Sequence, residues 1–191
     1  SYIVTCIDDT DLNSGVVKID DMVVFVPNLL IGEKAKIKIV KVNKKYAFGI
    51  IIQLLEPSIN RQALTCEVAK TCGGCQLQHM KYAYQLDYKY RHVKKLFENI
   101  EVRPILGMKN PWYYRNKAQF PVKIKDGKVQ MGFYRQHSND VVTCKECKIQ
   151  DHSINEVFSF IQKQITLEMA QDLRHVFIRH SSTDEIQVVF I

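Results

Sequence analysis

The fold of the N-terminal part of the chain is indicated by a stretch in which charged and apolar residues alternate, Lys34-Ala35-Lys36-Ile37-Lys38-Ile39. On a β-strand successive side chains point to opposite faces, so the three lysines share one face and the apolar residues the other. Short apolar stretches bounded by turn residues surround it at 4–7, 16–19, 22–26 and 48–55. About five strands at this spacing predict a small OB-like β-barrel over residues 1–57.

The remaining residues, 58–191, predict a second domain that mixes helices and strands. Residues 79–99 contain no Gly or Pro, and their apolar residues recur at three- and four-residue steps, which predicts an amphipathic helix. Asp126-Gly127 between two apolar runs predicts a hairpin, a further helix is predicted at 153–167, and a second hairpin is predicted around 181–185. The fold class is therefore α+β. Because the last strand ends on apolar Ile191, we expect the chain to continue beyond it.

Composition excludes several classes of protein. With 46% hydrophobic and 25% charged residues, the chain has no apolar run near the roughly 20 residues that cross a bilayer. The start at Ser1 lacks a basic flank and a long apolar segment, which argues against a secretory signal and predicts a cytoplasmic protein. The net charge of +7 favours an anionic partner such as nucleic acid, although it agrees equally with simple solubility.

The cysteine spacing predicts a metal site. Cytosolic thiols stay reduced, so six cysteines indicate metal binding or catalysis rather than disulfides. Cys66, Cys72 and Cys75 form C-x5-C-x2-C, and Cys144 and Cys147 form a second pair. Four thiolates hold either zinc or a four-iron cluster. Zinc would take Cys72, Cys75, Cys144 and Cys147 and leave Cys66 idle, whereas a cluster would use Cys66. Cys6 is expected to be a core residue, and His79 a helix-start residue rather than a ligand.

Two basic stretches are candidate RNA contacts. The Lys34, Lys36 and Lys38 face would follow phosphates, or it is an ordinary solvated strand face. Trp112-Tyr113-Tyr114-Arg115-Asn116-Lys117 interleaves rings with cations, as single-stranded RNA readers do. Within it we expect Trp112 and Tyr114 to pack, and Arg115 and Lys117 to face RNA. Three further residues have weaker claims: Lys123, Arg135 and His137.

Several segments together resemble one family, the RNA uracil-C5 methyltransferases that carry an N-terminal TRAM domain and a [4Fe-4S] cluster. The TRAM pattern and its exit are matched by Gly15-Val16-Val17-Lys18, Val24-Phe25-Val26-Pro27, Ile31-Gly32-Glu33 and Ser58-Ile59-Asn60-Arg61. The cluster loop, the following helix and the central domain are matched by Cys66 to Cys75, Tyr84 to Lys89, Tyr114 to Phe120 and Met131-Gly132-Phe133-Tyr134.

This resemblance implies cluster ligands Cys66, Cys72, Cys75 and Cys147, because the fourth ligand of the family precedes a residue pair like Lys148-Ile149. Cys144 is then an extra thiol. The family methylates C5 of a uridine in ribosomal or transfer RNA with S-adenosylmethionine. We expect ribosomal RNA as the partner, a monomer and no membrane contact. The methyl transfer of the family takes place in a C-terminal Rossmann-like domain, which we expect these 191 residues to lack. No G-x-G-x-x-G follows a predicted strand, so the chain is expected to be inactive alone, and no catalytic residue is assigned.

Two other functions agree with parts of the sequence. A free-standing zinc- or cluster-containing RNA-binding module would explain the basic faces and the cysteines without any catalytic domain. A redox or electron-transfer protein would explain a cluster, but it leaves the basic faces and the TRAM-like barrel without a purpose.

Overall fold

A computed structural model describes residues 1–97 and 99–191, which form two compact units. Unit 1 comprises Ser1–Ala63 and Gln76–Gly107, and unit 2 comprises Leu64–Cys75 and Met108–Ile191. The α+β class predicted from the sequence is confirmed. The elements are β1 (Tyr2–Thr5), β2 (Asp8–Asp9), β3 (Ser14–Ile19), β4 (Met22–Pro27), β5 (Lys34–Val42), β6 (Tyr46–Glu56), α1 (Tyr82–Leu96), β7 (Lys117–Lys125), β8 (Lys128–Met131), β9 (Phe133–Tyr134), β10 (Val141–Val142), α2 (His152–Gln164), α3 (Leu167–Gln171), β11 (His175–His180) and β12 (Ile186–Phe190).

Unit 1 is built on a curled sheet of six strands rather than the five predicted. Their order is β1-β5-β6-β4-β3-β2, with β4 and β6 parallel and every other neighbouring pair antiparallel. The additional strand, β2, consists only of Asp8 and Asp9. It therefore has no alternation of apolar residues from which it could be predicted. The predicted domain boundary at residue 57 stays a prediction.

The core of unit 1 lies on the concave side of this sheet. Alternate residues of β3, β4 and β5 are buried there, among them Val17, Val24 and Ile37. A Cβ on Gly15 would lie 2.5 Å from the carbonyl oxygen of Leu29, so the strand can approach this closely only at a glycine. Cys6 is a core residue as predicted, and burial raises the pKa of its thiol to about 11.

A buried ion pair joins two segments of the TRAM-like pattern. The Glu33 side chain is fully buried, and its carboxylate accepts hydrogen bonds from Arg61 Nε (2.5 Å) and Nη2 (2.6 Å). The backbone N–H groups of Leu30 and Ser58 complete its shell at 2.9 and 3.0 Å. This shell fastens the turn before β5 to the chain that follows β6. Both segments can be recognised in the sequence, but the contact between Glu33 and Arg61 was not predicted from it.

Helix α1 belongs to unit 1. It begins at Tyr82 rather than His79, and residue 98, inside the predicted span 79–99, lies outside the described residues. The buried Tyr88 packs with Leu30 and Met80, and its hydroxyl donates to Thr10 O at 2.5 Å. His79 is buried just before the helix, where burial lowers its pKa to about 4 and keeps it neutral at neutral pH.

Unit 2 packs α2 against an antiparallel sheet of order β12-β11-β7-β8. Phe120 of the sheet stacks on Phe158 of the helix with ring centroids 4.3 Å apart. Both predicted hairpins form, and Asp126-Gly127 takes the two positive φ values, 51° and 68°, that its tight turn requires. The side chain of Asp151 caps α2 by accepting from Ser153 N at 2.9 Å. Among the described residues, no helix is both long and apolar enough to cross a membrane.

Candidate functional site

The loop that carries Cys66, Cys72 and Cys75 is held by its own backbone hydrogen bonds. Cys72 N donates to Val68 O at 2.8 Å, which curls the chain between the first two cysteines. Beyond the curl, Gly73 N donates to Tyr134 O at 2.9 Å, and Gln136 N donates to Thr71 O at 3.1 Å. A Cβ on Gly73 would lie 3.2 Å from Tyr134 O, so a glycine suits this close approach. The loop is thereby fixed to the chain after β9.

The second cysteine pair is tied to this loop and to α2. Lys145, between Cys144 and Cys147, donates its N–H to Glu67 Oε1 at 2.9 Å, next to Cys66. The Asn155 side chain on α2 accepts from Cys147 N at 2.8 Å and donates to Cys147 O at 3.0 Å. Glu67 and Asn155 therefore position the cysteines. The sequence analysis did not identify this role. The only signals for it in the sequence are that Glu67 directly follows Cys66 and that Asn155 lies one helical turn after Asp151.

The thiols of Cys66, Cys72, Cys144 and Cys147 lie close enough together to affect one another electrostatically. Burial, then the nearby thiols of Cys147, Cys66 and Cys72, raise the pKa of Cys144 to about 12. Burial also raises the pKa of Cys147, against an opposing effect of the backbone N–H groups of Ile149 and Gln150. Within residues 1–97 and 99–191, no three His, Cys, Asp or Glu side chains are placed to hold a metal ion. Cys144 also packs into the apolar core of unit 2.

The lysine face lies on β5 as the alternation predicts. Ala35 and Ile37 are fully buried, whereas Lys36 and Lys38 are exposed on the outer side of the sheet. Lys34 Nζ lies 3.0 Å from Glu56 Oε1, and both side chains are well exposed. Exposed ion pairs of this kind are weak, so Lys34 stays available to a stronger anion.

The segment of rings and cations at 112–117 is attached to the loop of Cys147. Arg115 N donates to Ile149 O at 2.9 Å, and Asp151 N donates back to Arg115 O at 2.9 Å. The side chains of Arg115 and Lys117 are exposed, as an RNA contact requires. Both backbone bonds place Arg115 beside the cysteine site.

The prediction that Tyr114 packs is wrong, because its side chain is 47% exposed. The neighbouring residue, Tyr113, packs instead. Tyr113 has a φ of 55°, which turns its ring onto His152 with centroids 3.9 Å apart. Its hydroxyl donates to Glu146 Oε1 at 2.9 Å and accepts from Lys148 Nζ at 3.1 Å. Strand β7 begins only at Lys117, so the strand alternation on which the prediction relied does not extend to Tyr114.

Comparison with known proteins gives a family match for part of unit 1 and relatives along nearly the whole chain. Residues 8–52 match the TRAM domain family. The chain is 40% identical, over 98% of its length, to an uncharacterized RNA methyltransferase of Halalkalibacterium halodurans. It is 37% identical, over 97% of its length, to one of Clostridium acetobutylicum. The chain covers 44% of each of these relatives, so it spans less than half of their length.

A solved structure shares the fold along the whole chain. It is the crystal structure of Pyrococcus abyssi tRNA (uracil-54, C5)-methyltransferase in complex with S-adenosyl-L-homocysteine, with a TM-score of 0.65 and 24% sequence identity. This chain covers 46% of that protein. At this identity the comparison supports the fold alone.

Proposed function

We propose that this chain is the RNA-binding and iron–sulfur portion of an RNA uridine C5-methyltransferase that uses S-adenosylmethionine. The observation that carries this proposal is the 36% to 40% identity to proteins named RNA methyltransferases, along nearly the whole chain. The TRAM domain at residues 8–52 and the fold shared with a tRNA (uracil-54, C5)-methyltransferase support it. In this proposal, methyl transfer depends on parts of the relatives that these 191 residues do not match.

The proposed cofactor of the chain is a [4Fe-4S] cluster on Cys66, Cys72, Cys75 and Cys147. Its loop fits a cluster, since Gly74 N–H points at Cys72 Sγ at 3.4 Å and Ile149 and Gln150 donate toward the Cys147 sulfur. Such N–H groups stabilise cluster sulfurs. Each thiolate binds a different iron, so a cluster does not need the tight packing of ligands around a single ion. When bound, the cluster supplies a rigid crosslink between the loops at 66–75 and 144–147.

Cys144 is the thiol that the proposed ligand set leaves out. It lies near the other cysteines, but it is 7% exposed and packs in the core of unit 2, as a small apolar residue would. Iron and sulfide analysis of anaerobically purified protein tests the assignment. We expect Cys144→Ser to retain the cluster absorption and Cys66→Ser to lose it. Zinc in place of iron, or the reverse pattern in the two variants, would contradict it.

The proposed RNA contacts are the β5 lysines Lys34, Lys36 and Lys38 in unit 1, and Arg115 and Lys117 in unit 2. All five are cationic and accessible, and phosphate contacts by such groups dominate affinity for nucleic acids. We propose ribosomal RNA as the substrate. Transfer RNA is the alternative, because the solved structure with the same fold is a tRNA (uracil-54, C5)-methyltransferase. An RNA-modifying role agrees with the cytoplasmic location predicted from the sequence.

The proposed activity is tested with the complete product of the gene that encodes this chain. Purified anaerobically, it should transfer tritiated methyl from S-adenosylmethionine to ribosomal RNA, and digestion should yield 5-methyluridine. Methylation of transfer RNA instead would retain the reaction and change the substrate. RNA binding without methylation of either RNA would favour the free-standing RNA-binding module over the enzyme.

A further inference from the structure

The outer face of the unit 1 sheet carries three aromatic rings in mutual contact. Phe25 on β4 and Phe48 on β6 are paired in register, and Tyr46 lies two residues before Phe48. The ring centroids are 5.5 to 5.9 Å apart, and the Tyr46–Phe48 pair is edge-to-face. Their strand neighbours Val24 and Ala47 point into the core, so the three rings point away from it. We call Phe25, Tyr46 and Phe48 the ring platform.

The ring platform is accessible. Tyr46 is 39% exposed, Phe25 and Phe48 are half-buried, and Ile50 extends the apolar surface along β6 with 47% exposure. The rings do not contribute to the core of unit 1, which lies on the other side of the sheet and consists mainly of aliphatic residues. An exposed apolar patch of this kind on a soluble protein marks a binding surface.

Lysines border the ring platform on the same face. In the antiparallel β5–β6 pair, Lys41 is opposite Phe48 and Lys38 is opposite Ile50, and opposite residues share a face. On the far side, Lys18 of β3 pairs with Val23, which itself pairs with Tyr46. One register row therefore runs from Val16 through Phe25 and Phe48 to Lys41. This arrangement suits single-stranded RNA, because unstacked bases can stack on the central rings while the lysines at the margin bind the neighbouring phosphates.

The two turns at the Tyr46 end give this surface a direction. The turn between β3 and β4 carries Asp20 and Asp21, whereas the turn between β5 and β6 carries Lys44 and Lys45. Phosphates are repelled from the first turn and attracted to the second. The favourable path for a nucleic-acid backbone therefore follows β5, past Lys41 and Lys38, with the bases directed toward the rings.

We propose that the ring platform binds unpaired bases of single-stranded RNA, with Lys41 and Lys38 holding the adjacent phosphates. This proposal rests on the proposed RNA-binding function and adds to it a site for exposed bases. A protein partner is the less favoured occupant, because charged residues are depleted from the centre of protein interfaces and lysines border this patch closely.

The test uses Tyr46→Leu, which keeps an apolar side chain on the strand but removes the stacking ring. Tyr46→Trp keeps a stacking surface, and Tyr2→Leu is the matched control, because Tyr2 is also exposed (48%) but lies on the edge strand β1. Thermal unfolding of each variant checks that the sheet is intact. The probes are a fluorescent oligouridylate of about 12 nucleotides, within the site size of one small barrel, and a structured ribosomal RNA hairpin.

We expect Tyr46→Leu to weaken oligouridylate binding roughly 5- to 150-fold, the loss of one base stack, at an unchanged salt dependence. Tyr46→Trp and Tyr2→Leu should bind like the unmodified chain. Lys41→Gln should instead flatten the slope of log affinity against log salt by about 0.7. This contrast separates stacking from charge.

Three results would overturn the ring platform as a base site. If Tyr46→Leu binds oligouridylate normally while Lys41→Gln binds it weakly, RNA binding by this chain is supported and the base site is not. If the unmodified chain binds the hairpin but not oligouridylate, the inference again fails alone. If the chain sediments as a dimer that Tyr46→Ser dissociates with unchanged RNA affinity, the patch belongs to a second copy. Failure to bind either RNA would instead remove the RNA-binding role of this chain together with the inference.

Discussion

Glu33 shows how one residue can hold a fold together. Burial raises the pKa of this carboxyl, but hydrogen bonds from Arg61 and from the N–H groups of Leu30 and Ser58 outweigh burial, so the pKa lies below its ordinary value. The carboxylate is therefore charged and fully paired at neutral pH. A carboxyl group of lowered pKa stabilises the folded state above the pKa of the unfolded chain, and this contribution is lost as the pH falls through the folded value.

We predict that Glu33→Gln lowers the free energy of unfolding of unit 1 by about 3 kcal/mol at pH 7, because Arg61 then lacks its charged partner. Urea titration at several pH values measures this difference, which should shrink as the pH falls below about 4. Glu56→Gln is the control. It breaks only the exposed pair with Lys34 and should change stability by less than about 1 kcal/mol. A loss for Glu33→Gln that is small, or constant with pH, would show that the ion pair does not hold these segments together.

Arg115 carries a separate prediction. Its backbone is fixed to the Cys147 loop while its side chain is exposed, so Arg115→Ala should leave the fold intact. If the guanidinium stacks on a base or grips a phosphate bidentately, the affinity for structured RNA should fall by about 1 to 3 kcal/mol. Fluorescence anisotropy measures the change. Arg103→Ala, at an exposed arginine of unit 1, is the control. Equal affinities of the two variants would remove Arg115 from the contacts.

At the scale of elements, the sequence predicted those strands and turns that carry a strong local pattern. The β5 alternation and the Asp126-Gly127 turn are such patterns, and both were confirmed. The two-residue strand β2 and the short helix α3 were missed, because neither is long enough to show a period. Contacts between distant segments, such as Glu33 with Arg61 or Glu67 with Lys145, follow from tertiary structure and leave no local signal.

For the lysine face of β5, the number of phosphate contacts can be predicted and measured. Changing Lys34, Lys36 and Lys38 to Gln preserves side-chain length and the inward residues, so the sheet should stay folded. Three lost phosphate contacts should flatten the slope of log affinity against log salt by about 2 on single-stranded RNA. Anisotropy at several salt concentrations measures the slope. A variant with Gln at Lys125, Lys128 and Lys163 has the same net charge and serves as the control. Equal slopes for the two variants would make the β5 face an ordinary solvated surface.

At the scale of the whole molecule, unit 1 carries the sheet with the proposed lysine contacts to RNA, and unit 2 carries the five cysteines from Cys66 to Cys147. Part of this could be predicted from the sequence, because the cysteine spacing and the TRAM segments are local motifs. The arrangement of the two cysteine-bearing segments could not, since residues 66–75 and 144–147 are far apart in the chain. The hydrogen bond from Lys145 N to Glu67 joins them, whereas Tyr134 fixes the first segment to β9 and Asn155 fixes the second to α2.

We predict that these 191 residues bind neither S-adenosylmethionine nor its product S-adenosylhomocysteine. They contain no G-x-G-x-x-G after a strand, the arrangement that cradles such cofactors in Rossmann-like domains. Isothermal titration calorimetry with the isolated chain should show no heat of binding, whereas the complete gene product should bind. Stoichiometric binding by the isolated chain would place a cofactor site within units 1 and 2 and refute this prediction.

Our central proposal is that the chain belongs to an enzyme that makes 5-methyluridine. Its most direct test is mass spectrometry of nucleosides from ribosomal and transfer RNA of the source organism, with and without the gene. We predict that deletion removes 5-methyluridine from one position of ribosomal RNA. The complete gene should restore it, as should its Cys144→Ser variant, whereas its Cys147→Ser variant should not. An unchanged 5-methyluridine content in both RNA classes after deletion would contradict the claim.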